Sequence, residues 1–281
     1  MFLDLNSLEY KQESKKKDAF YASDVQRPAF ELWHQLAGTP ITNQMNWYDT
    51  LKMGAGNGVE SSMLKVLKDS GIVAEDYDQH VQGKVNFERD GLTIHGRIDA
   101  LTKDGLPIEI KSINNKNQWD IKAYETGYPR ENYVGQLAVY MDALGVDIGH
   151  LFVATVDGLG RFWFECRREG DVFSCGNVKF NLAKEYDRWR EILKLDKPDV
   201  FEYRYKIPVD EIDWSKVSAD KISKARNNKA VIGDYQVTYS RFKDLWIKSQ
   251  GVEQGYTAEE ILKIRKLTNN YTSKDASKRF K

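Results

Sequence analysis

Two carboxylates and a lysine lie close together in the sequence, at spacings that suit divalent-metal chemistry. Asp99 is followed by Glu109 and by Lys111, two residues further on. Residues two apart in a strand share a face, so a strand here would place a carboxylate beside an ammonium group. Two carboxylates that meet in a cleft repel each other, and a hard divalent cation such as Mg²⁺ relieves that repulsion. Such a site can hydrolyse a phosphodiester, with the lysine orienting the attacking water.

Each of these features also has a simpler interpretation. A Glu-x-Lys pair in a strand is often a solvated face with a cross-strand ion pair. Gln136 and Tyr140, four residues apart, can form one polar stripe of any helix. Glu60, in a helical pattern before the strands, is a candidate third carboxylate. The combination and its order, rather than any single residue, favour a catalytic site.

The hydrophobic pattern predicts the helices that precede these residues. Ser23-Asp24 has the composition of a helix cap, and apolar residues at helical spacing follow it until Gly38-Thr39-Pro40. A second helix is predicted to begin near Trp47 or after the glycine-rich stretch at 54–58. It is expected to stop at Ser70-Gly71.

From Val81 onwards the pattern changes to that of strands. Short apolar runs separated by Asp90-Gly91 and Asp104-Gly105, which are hairpin-turn dipeptides, predict three antiparallel strands. A polar connection at 114–132 then leads to a helix at 133–144. The remaining predictions are strands at 150–156 and 161–167 and an amphipathic helix at 180–195.

The charge distribution separates the end of the chain from the rest. The formal net charge is zero, but from Ser215 onwards 15 Lys and Arg residues accompany only 7 Asp and Glu residues. The preceding residues therefore carry a compensating negative charge. A basic segment beside a carboxylate-rich body suits a polyanionic partner, and a solvated Lys-rich helical tail explains the composition equally well.

Composition also limits the compartment and the cofactors. No apolar run approaches the roughly 20 residues of a membrane span, and the first residues lack the layout of a secretion signal. We therefore expect a cytoplasmic protein that has no membrane partner. Cys166 and Cys175 are the only cysteines, which is too few for a four-cysteine iron–sulfur cluster, and we expect both to be reduced, structural thiols.

In combination, these motifs resemble the PD-(D/E)XK nuclease superfamily and, within it, the RecB-type branch. The matching positions are Glu60, Gly96-Arg97-Ile98-Asp99, Glu109-Ile110-Lys111 and Gln136-Leu137-Ala138-Val139-Tyr140. The resemblance covers residues 20 to 190. It implies an α/β fold with a restriction-endonuclease-like αβββαβ core, here followed by a helical, basic C-terminal extension. Two features depart from the family pattern: Glu60 stands where several relatives have histidine, and the cysteines of the relatives that carry an iron–sulfur cluster are absent.

The resemblance also implies roles for individual residues. Asp99, Glu109, Lys111, Gln136 and Tyr140 would be catalytic. The metal, Mg²⁺ or Mn²⁺, would be bound by Glu60, Asp99, Glu109 and the carbonyl of Ile110. No iron–sulfur cluster is expected.

Aromatic and basic residues near the site suggest contacts with DNA. Aromatic rings among basic side chains can stack bases and bind the phosphates of single-stranded DNA, although the same rings can simply pin a loop to the core. The candidate DNA-binding residues are Arg27, Trp119, Lys122, Tyr128 and Arg130.

These observations give an expected organisation and function. We expect an N-terminal arm at 1–19, a nuclease core at 20–200, and a linker with the basic extension at 201–281. The expected activity is divalent-metal-dependent hydrolysis of DNA by an exonuclease that acts on ends in replication, recombination or repair, as in the small phage-encoded members of the branch, which would place the protein in the host cytoplasm. The alternatives are a restriction-type or structure-specific endonuclease and a catalytically silent DNA-binding or recombination-accessory module. The expected partners are DNA, as ends or single strands, and a recombination or replication protein, and the active form is either a monomer or an oligomer.

Overall fold

The structure is a computed structural model of the 281-residue chain. It describes residues 15–45, 47–114, 118–197, 240–242 and 245, with the backbone alone at 47–49, 52, 118 and 119. The chain divides into two compact units. The larger contains the described residues within 17–27 and 47–194, and the smaller contains those within 15–16, 28–45 and 195–245. The predicted N-terminal arm and basic extension lie almost entirely outside the described residues, so their boundaries stay predictions.

A hairpin in the larger unit carries the residues that precede Asp99. Strands β2 (Lys84–Arg89) and β3 (Leu92–Arg97) are antiparallel, as the Asp90-Gly91 dipeptide predicted. Asp90 and Gly91 both have positive φ, 49° and 80°, which is the backbone conformation that tight two-residue hairpin turns require. Strand β1 (Phe20–Tyr21) pairs in parallel with β3 and completes a three-stranded sheet.

A second sheet of six strands forms the centre of the larger unit. In spatial order its strands are β4 (Ala100–Leu101), β5 (Pro107–Ile113), β6 (Ile148–Thr155), β7 (Arg161–Glu169), β8 (Val172–Cys175) and β9 (Val178–Asn181). β5 and β6 are parallel, and the other neighbours are antiparallel. Parallel neighbours need a crossover connection, which is made by the helices α3 (Gln118–Glu125) and α4 (Glu131–Leu144).

Helices cover both faces of strand β5. On one face, Met63 and Leu67 of helix α2 (Trp47–Asp69) pack with Ile108 and Ile110 in a buried cluster. On the other, α4 lies so close to β6 that a side chain at Gly149 would meet Met141. A fifth helix, α5 (Leu182–Lys194), follows β9. The described residues of the larger unit therefore form a mixed α/β structure in which helices flank β5 on both faces.

The strand that carries Asp99 differs from its prediction. One continuous strand was expected, but β3 ends at Arg97 and β4 begins at Ala100 in the other sheet. The backbone groups of Ile98 are taken by other partners, because its N–H donates to the carbonyl of Gly83 at 2.7 Å and its carbonyl accepts a bond from the Tyr77 hydroxyl at 3.0 Å. Asp99 thus lies at the passage from one sheet to the other.

The expectation of reduced cysteines is also corrected. Cys166 on β7 and Cys175 on β8 are directly opposite each other in the antiparallel register, and the structure joins them in a disulfide. Their Cα atoms are 4.3 Å apart, close to the separation of non-hydrogen-bonded antiparallel pairs. Sequence spacing alone did not reveal that a tight hairpin aligns the two residues.

The smaller unit contains the first predicted helix. Helix α1 (Ala29–Ala37) begins after Pro28 and ends at Gly38, whose φ of 73° is typical of a helix C-terminus. Trp33 donates from Nε1 to the carbonyl of Leu195 at 3.0 Å, and the ring of His34 stacks on Phe242. No helix among the described residues has the length and apolar composition needed to cross a membrane.

Candidate active site

Asp99 is tied directly to the strand that carries Glu109 and Lys111. Its Oδ2 accepts a 2.9 Å hydrogen bond from the backbone N–H of Ile110. The carboxylate thereby takes the place of a neighbouring strand at this point of β5, just beyond the short pairing with β4. The two motifs, eleven residues apart in the sequence, therefore form one local structure.

Glu109 and Lys111 form an ion pair beside this contact. Lys111 Nζ contacts Glu109 Oε1, as the shared face of residues two apart in a strand predicted. Glu109 is completely buried, whereas the Lys111 side chain is 19% exposed. The second oxygen of Glu109, Oε2, is buried and has no hydrogen-bond partner among the described residues. A buried carboxylate oxygen without a partner is costly, so this atom calls for a proton or a cation.

Glu60 and Asp99 line one open cavity next to strand β5. Its volume is about 160 Å³, and Ile110 forms part of its wall. Glu60 comes from α2, so a helix, the turn at Asp99 and the strand β5 each contribute one of these residues. The full lining is Asn57, Glu60, Ser61, Leu64, Gln79, Arg97, Asp99 and Ile110.

Burial and mutual repulsion change the acidity of the three carboxyl groups. Burial raises the pKa of Glu109 to about 8, and the nearby charge of Asp99 acts in the same direction. Burial likewise raises the pKa of Asp99 and of Glu60, although the Lys111 ammonium opposes both shifts. Burial alone would lower the pKa of Lys111, but the carboxylates of Glu109 and Asp99 outweigh it and raise that pKa. The cluster has more acidic than basic groups, which favours the uptake of positive charge.

Gln136 and Tyr140 contact the polypeptide rather than solvent. The Tyr140 side chain is buried, and its hydroxyl donates a 2.8 Å hydrogen bond to the carbonyl of Arg97. Gln136 Nε2 donates to the same hydroxyl at 3.1 Å. Gly96 makes this approach feasible, because a Cβ there would lie 2.7 Å from Tyr140 Cε1. The pair thus fixes the backbone just before Asp99.

The residues present are chemically suited to a divalent cation. Carboxylates and a backbone carbonyl are the hard oxygen ligands that Mg²⁺ and Mn²⁺ prefer, and Glu109 Oε2 lacks a partner among the described residues. Within the described part of the chain, no group of three or more His, Cys, Asp or Glu side chains could hold a metal ion as it stands. Glu109 faces Lys111 and Asp99 faces the Ile110 N–H, so both carboxylates already have protein partners. The identity of the metal and of its ligands stays a prediction.

Of the residues expected to bind DNA, four belong to the crossover between β5 and β6. Lys122 and Tyr128 are exposed, and Trp119 lies in α3 with only its backbone described. Arg130 forms an ion pair with Asp120 and donates to the hydroxyl of Tyr133 at 3.3 Å. The Tyr133 ring lies 5.8 Å from Lys111 Nζ, so this crossover adjoins strand β5.

Arg27 lies in a different cluster. Its Nε is 3.5 Å from the buried carboxylate of Asp24, and its carbonyl accepts a hydrogen bond from Arg188. These partners suffice for a structural role. A contact between Arg27 and DNA stays a prediction.

Five residues that line the cavity were not predicted from the sequence as site residues: Asn57, Ser61, Leu64, Gln79 and Arg97. The sequence did contain a signal for Arg97. It lies two residues before Asp99, and residues two apart in extended backbone point to the same side. Asn57 lies three residues, about one helical turn, before Glu60. Gln79 gave no signal, since it lies in an irregular segment between α2 and β2.

Comparison with known proteins gives limited similarity. No protein-family model matches the chain, and no curated protein matches it in sequence. Among solved structures, the crystal structure of LHK-Exo in complex with dAMP is 22% identical over 63% of this chain and 86% of its own, with a TM-score of 0.43. A second structure of this alkaline exonuclease, from Laribacter hongkongensis, is 18% identical over the same shares, with a TM-score of 0.40.

A third similar structure is that of SSO0001. It is 16% identical over 73% of this chain and 88% of its own, with a TM-score of 0.42. TM-scores below 0.5 are too low to assign the fold or the activity of this chain.

Proposed function

We propose that this chain is a divalent-metal-dependent deoxyribonuclease of the PD-(D/E)XK superfamily, RecB-type branch. The observation that carries the proposal is the hydrogen bond between Asp99 and the Ile110 N–H, which joins the first acidic motif to the strand of Glu109 and Lys111. Glu60 and Asp99 line the same cavity. The order of α2, β2, β3, β5, α4 and β6 also agrees with an αβββαβ core.

The proposed ligands of the cation are Glu60, Asp99, Glu109 and the carbonyl of Ile110. A bound Mg²⁺ or Mn²⁺ would supply a water of lowered pKa and positive charge near the scissile phosphate. Lys111 would orient the attacking water and balance negative charge that develops on the phosphate. The ion pair with Glu109 holds its ammonium beside the acidic groups. Lysine suits this role because its charge is compact and its side chain can reorient.

Gln136 and Tyr140 have a positioning role in this proposal. Their hydrogen bonds end at the Arg97 carbonyl, two residues before Asp99. They would therefore keep the first acid in register with β5. Neither side chain needs to contact DNA for this purpose.

We further propose that the enzyme acts on DNA ends, as the RecB-type motif order implies. The decisive experiment compares linear with covalently closed circular DNA in the presence of Mg²⁺ or Mn²⁺. Degradation of the linear form alone identifies an exonuclease. Cleavage of the closed circle identifies the endonuclease alternative instead.

Matched variants test whether the proposed residues carry the activity. Lys111→Ala and Asp99→Ala should each abolish cleavage while the protein stays folded. Lys179→Ala, at an exposed position of β9, should cleave like the wild type. Equal activity in the wild type and in both site variants would refute the proposal, and DNA binding without cleavage by the wild type would favour a silent accessory module.

A further inference from the structure

Arg97 is the one cationic side chain among the described residues that line the cavity of Glu60 and Asp99. We propose that Arg97 is a substrate-binding residue that contacts a phosphate of the DNA backbone at this cavity. The inference rests on the proposed nuclease function and deepens it. It assigns a direct contact with substrate to the residue that follows the glycine of the Gly96-Arg97-Ile98-Asp99 motif.

The backbone of Arg97 is hydrogen-bonded within the fold, whereas its side chain is exposed. Arg97 ends strand β3 opposite Lys84, and its carbonyl accepts the hydrogen bond from Tyr140. Gly96 packs against the same tyrosine. A binding group on a fixed backbone loses less conformational entropy when its ligand arrives.

Among the described residues, the guanidinium of Arg97 forms no ion pair with the neighbouring acids. Its positive charge opposes the rise in the pKa of Glu60 and of Asp99. Among the described residues, however, its one hydrogen bond is to His80 Nδ1, at 3.4 Å. Arg97 thus keeps most of its five N–H donors available for a ligand.

The surroundings favour a phosphate as that ligand. A guanidinium can bind two phosphate oxygens at once, and the amide groups of Asn57 and Gln79 in the same cavity wall are further donors. The carboxylates of Glu60 and Asp99 would repel an anion unless positive charge lies between them and it. Arg97 and a metal bound by the acids would together provide this charge. Since a phosphate contact reads no base, the contribution of Arg97 to binding should be independent of DNA sequence.

The test measures DNA binding and metal binding separately. Wild type, Arg97→Gln and Arg97→Lys are titrated with a fluorescent DNA duplex in Ca²⁺, a cation used here to limit cleavage, at several salt concentrations. Arg167→Gln is the matched control, because Arg167 is an exposed strand arginine on β7 that pairs with Glu165. Calorimetry with Mn²⁺ in the absence of DNA gives the metal affinity of each variant.

Arg97→Gln should bind DNA about tenfold more weakly. The negative slope of log affinity against log salt should become shallower by about one. Its Mn²⁺ affinity should stay equal or rise, because a positive charge near the acids has been removed. Arg97→Lys should keep the salt slope and recover part of the affinity. Arg167→Gln should behave like the wild type.

Two results would overturn the inference. In the first, Arg97→Gln has the same DNA affinity and salt slope as the wild type. In the second, Arg97→Gln and Arg167→Gln lose DNA affinity equally. Thermal unfolding checks that the glutamine variant is folded, and Arg97→Lys serves as the second reading if it is not. Wild-type protein that neither binds nor cuts DNA would instead refute the proposed function itself, so the two failures are distinguishable.

Discussion

The hydroxyl of Tyr140 donates a hydrogen bond to the backbone carbonyl of Arg97, across 43 residues of sequence. This contact links helix α4 to the end of strand β3, next to the turn that carries Asp99. Gln136 completes the link from the preceding turn of the same helix. Both polar residues of the Gln-x-x-x-Tyr pattern therefore make hydrogen bonds within the polypeptide.

Tyr140→Phe should lower stability and activity together. The substitution leaves the Arg97 carbonyl and the Gln136 amide without their shared partner, which should cost about 1–3 kcal/mol of unfolding free energy. Urea unfolding and DNA cleavage measure the two effects. Tyr128→Phe is the matched control for stability, because Tyr128 is 54% exposed, and an equal loss of stability there would contradict the role given to Tyr140.

Gly96→Ala should destabilise the protein because no space exists for a side chain. The new Cβ would lie 2.7 Å from Tyr140 Cε1 and 2.9 Å from Val85 Cγ2, and such overpacking costs about 1–3 kcal/mol. Gly54→Ala in α2 should instead raise the free energy of unfolding, by up to about 1 kcal/mol, because alanine favours a helix. A Cβ at this position would have no atom within 4 Å among those that could obstruct it. Chemical unfolding measures the stability of both variants. A stability gain in Gly96→Ala would contradict the close contact of Gly96 with Tyr140 and Val85.

Asp99→Asn should separate the structural role of this residue from its charge. The amide oxygen can still accept the Ile110 N–H, so stability should stay within about 1 kcal/mol of the wild type. Cleavage should fall by at least about 100-fold, and Mg²⁺ should no longer raise the melting temperature. Asp171→Asn, on an exposed turn, is the control, and full activity in Asp99→Asn would remove Asp99 from the metal site.

The free energy of unfolding without metal should fall as the pH rises from about 5 to about 8. Burial raises the pKa of Glu109 to about 8 in the folded protein, whereas an unfolded glutamate titrates near about 4.3. Unfolding therefore releases a proton in this range, and the slope for one carboxyl is at most about 1.4 kcal/mol per pH unit. Lys111 is charged in both states throughout this range and does not contribute to the slope.

Urea unfolding in EDTA at several pH values measures this slope. Glu109→Gln should flatten it, because the amide cannot ionise. Mg²⁺ should stabilise the wild type more at the upper end of the range than at the lower, since its ligands must be deprotonated. Stability that rises with pH in EDTA would contradict the raised pKa of Glu109.

Local sequence signals predicted the elements around the site, and longer-range contacts determined the rest. The turn at Asp90-Gly91 and the helix end at Gly145, with a φ of 67°, followed from backbone preferences of glycine and its neighbours. For the start of α2 the sequence left two alternatives, near Trp47 or after the glycines at 54–58. The helix begins at Trp47, as the first alternative predicted, and runs through the glycines. Glycine at position 56 also has a tertiary reason, because a Cβ there would lie 3.2 Å from Ser112 Oγ on strand β5.

The site shows the same division. The spacing of Glu109 and Lys111 predicted their shared face, since strand geometry is local. The passage at Ile98 was not predictable, because it depends on the Tyr77 hydroxyl and the Gly83 carbonyl, which are distant in sequence or irregular in structure. Helix α3 was missed, because the polar stretch 114–132 has no clear apolar stripe.

The parallel pairing of β5 with β6 has a consequence for biosynthesis. The ribosome releases Asp99, Glu109 and Lys111 well before residues 148–155, which supply the neighbouring strand. Until then, β5 exposes an unpaired edge, and helix α4 lacks the strand on which Met141 packs. The nascent chain should therefore acquire hydrolytic competence only late in translation, and a ribosome that stalls before β6 should hold an inert product that needs chaperone protection.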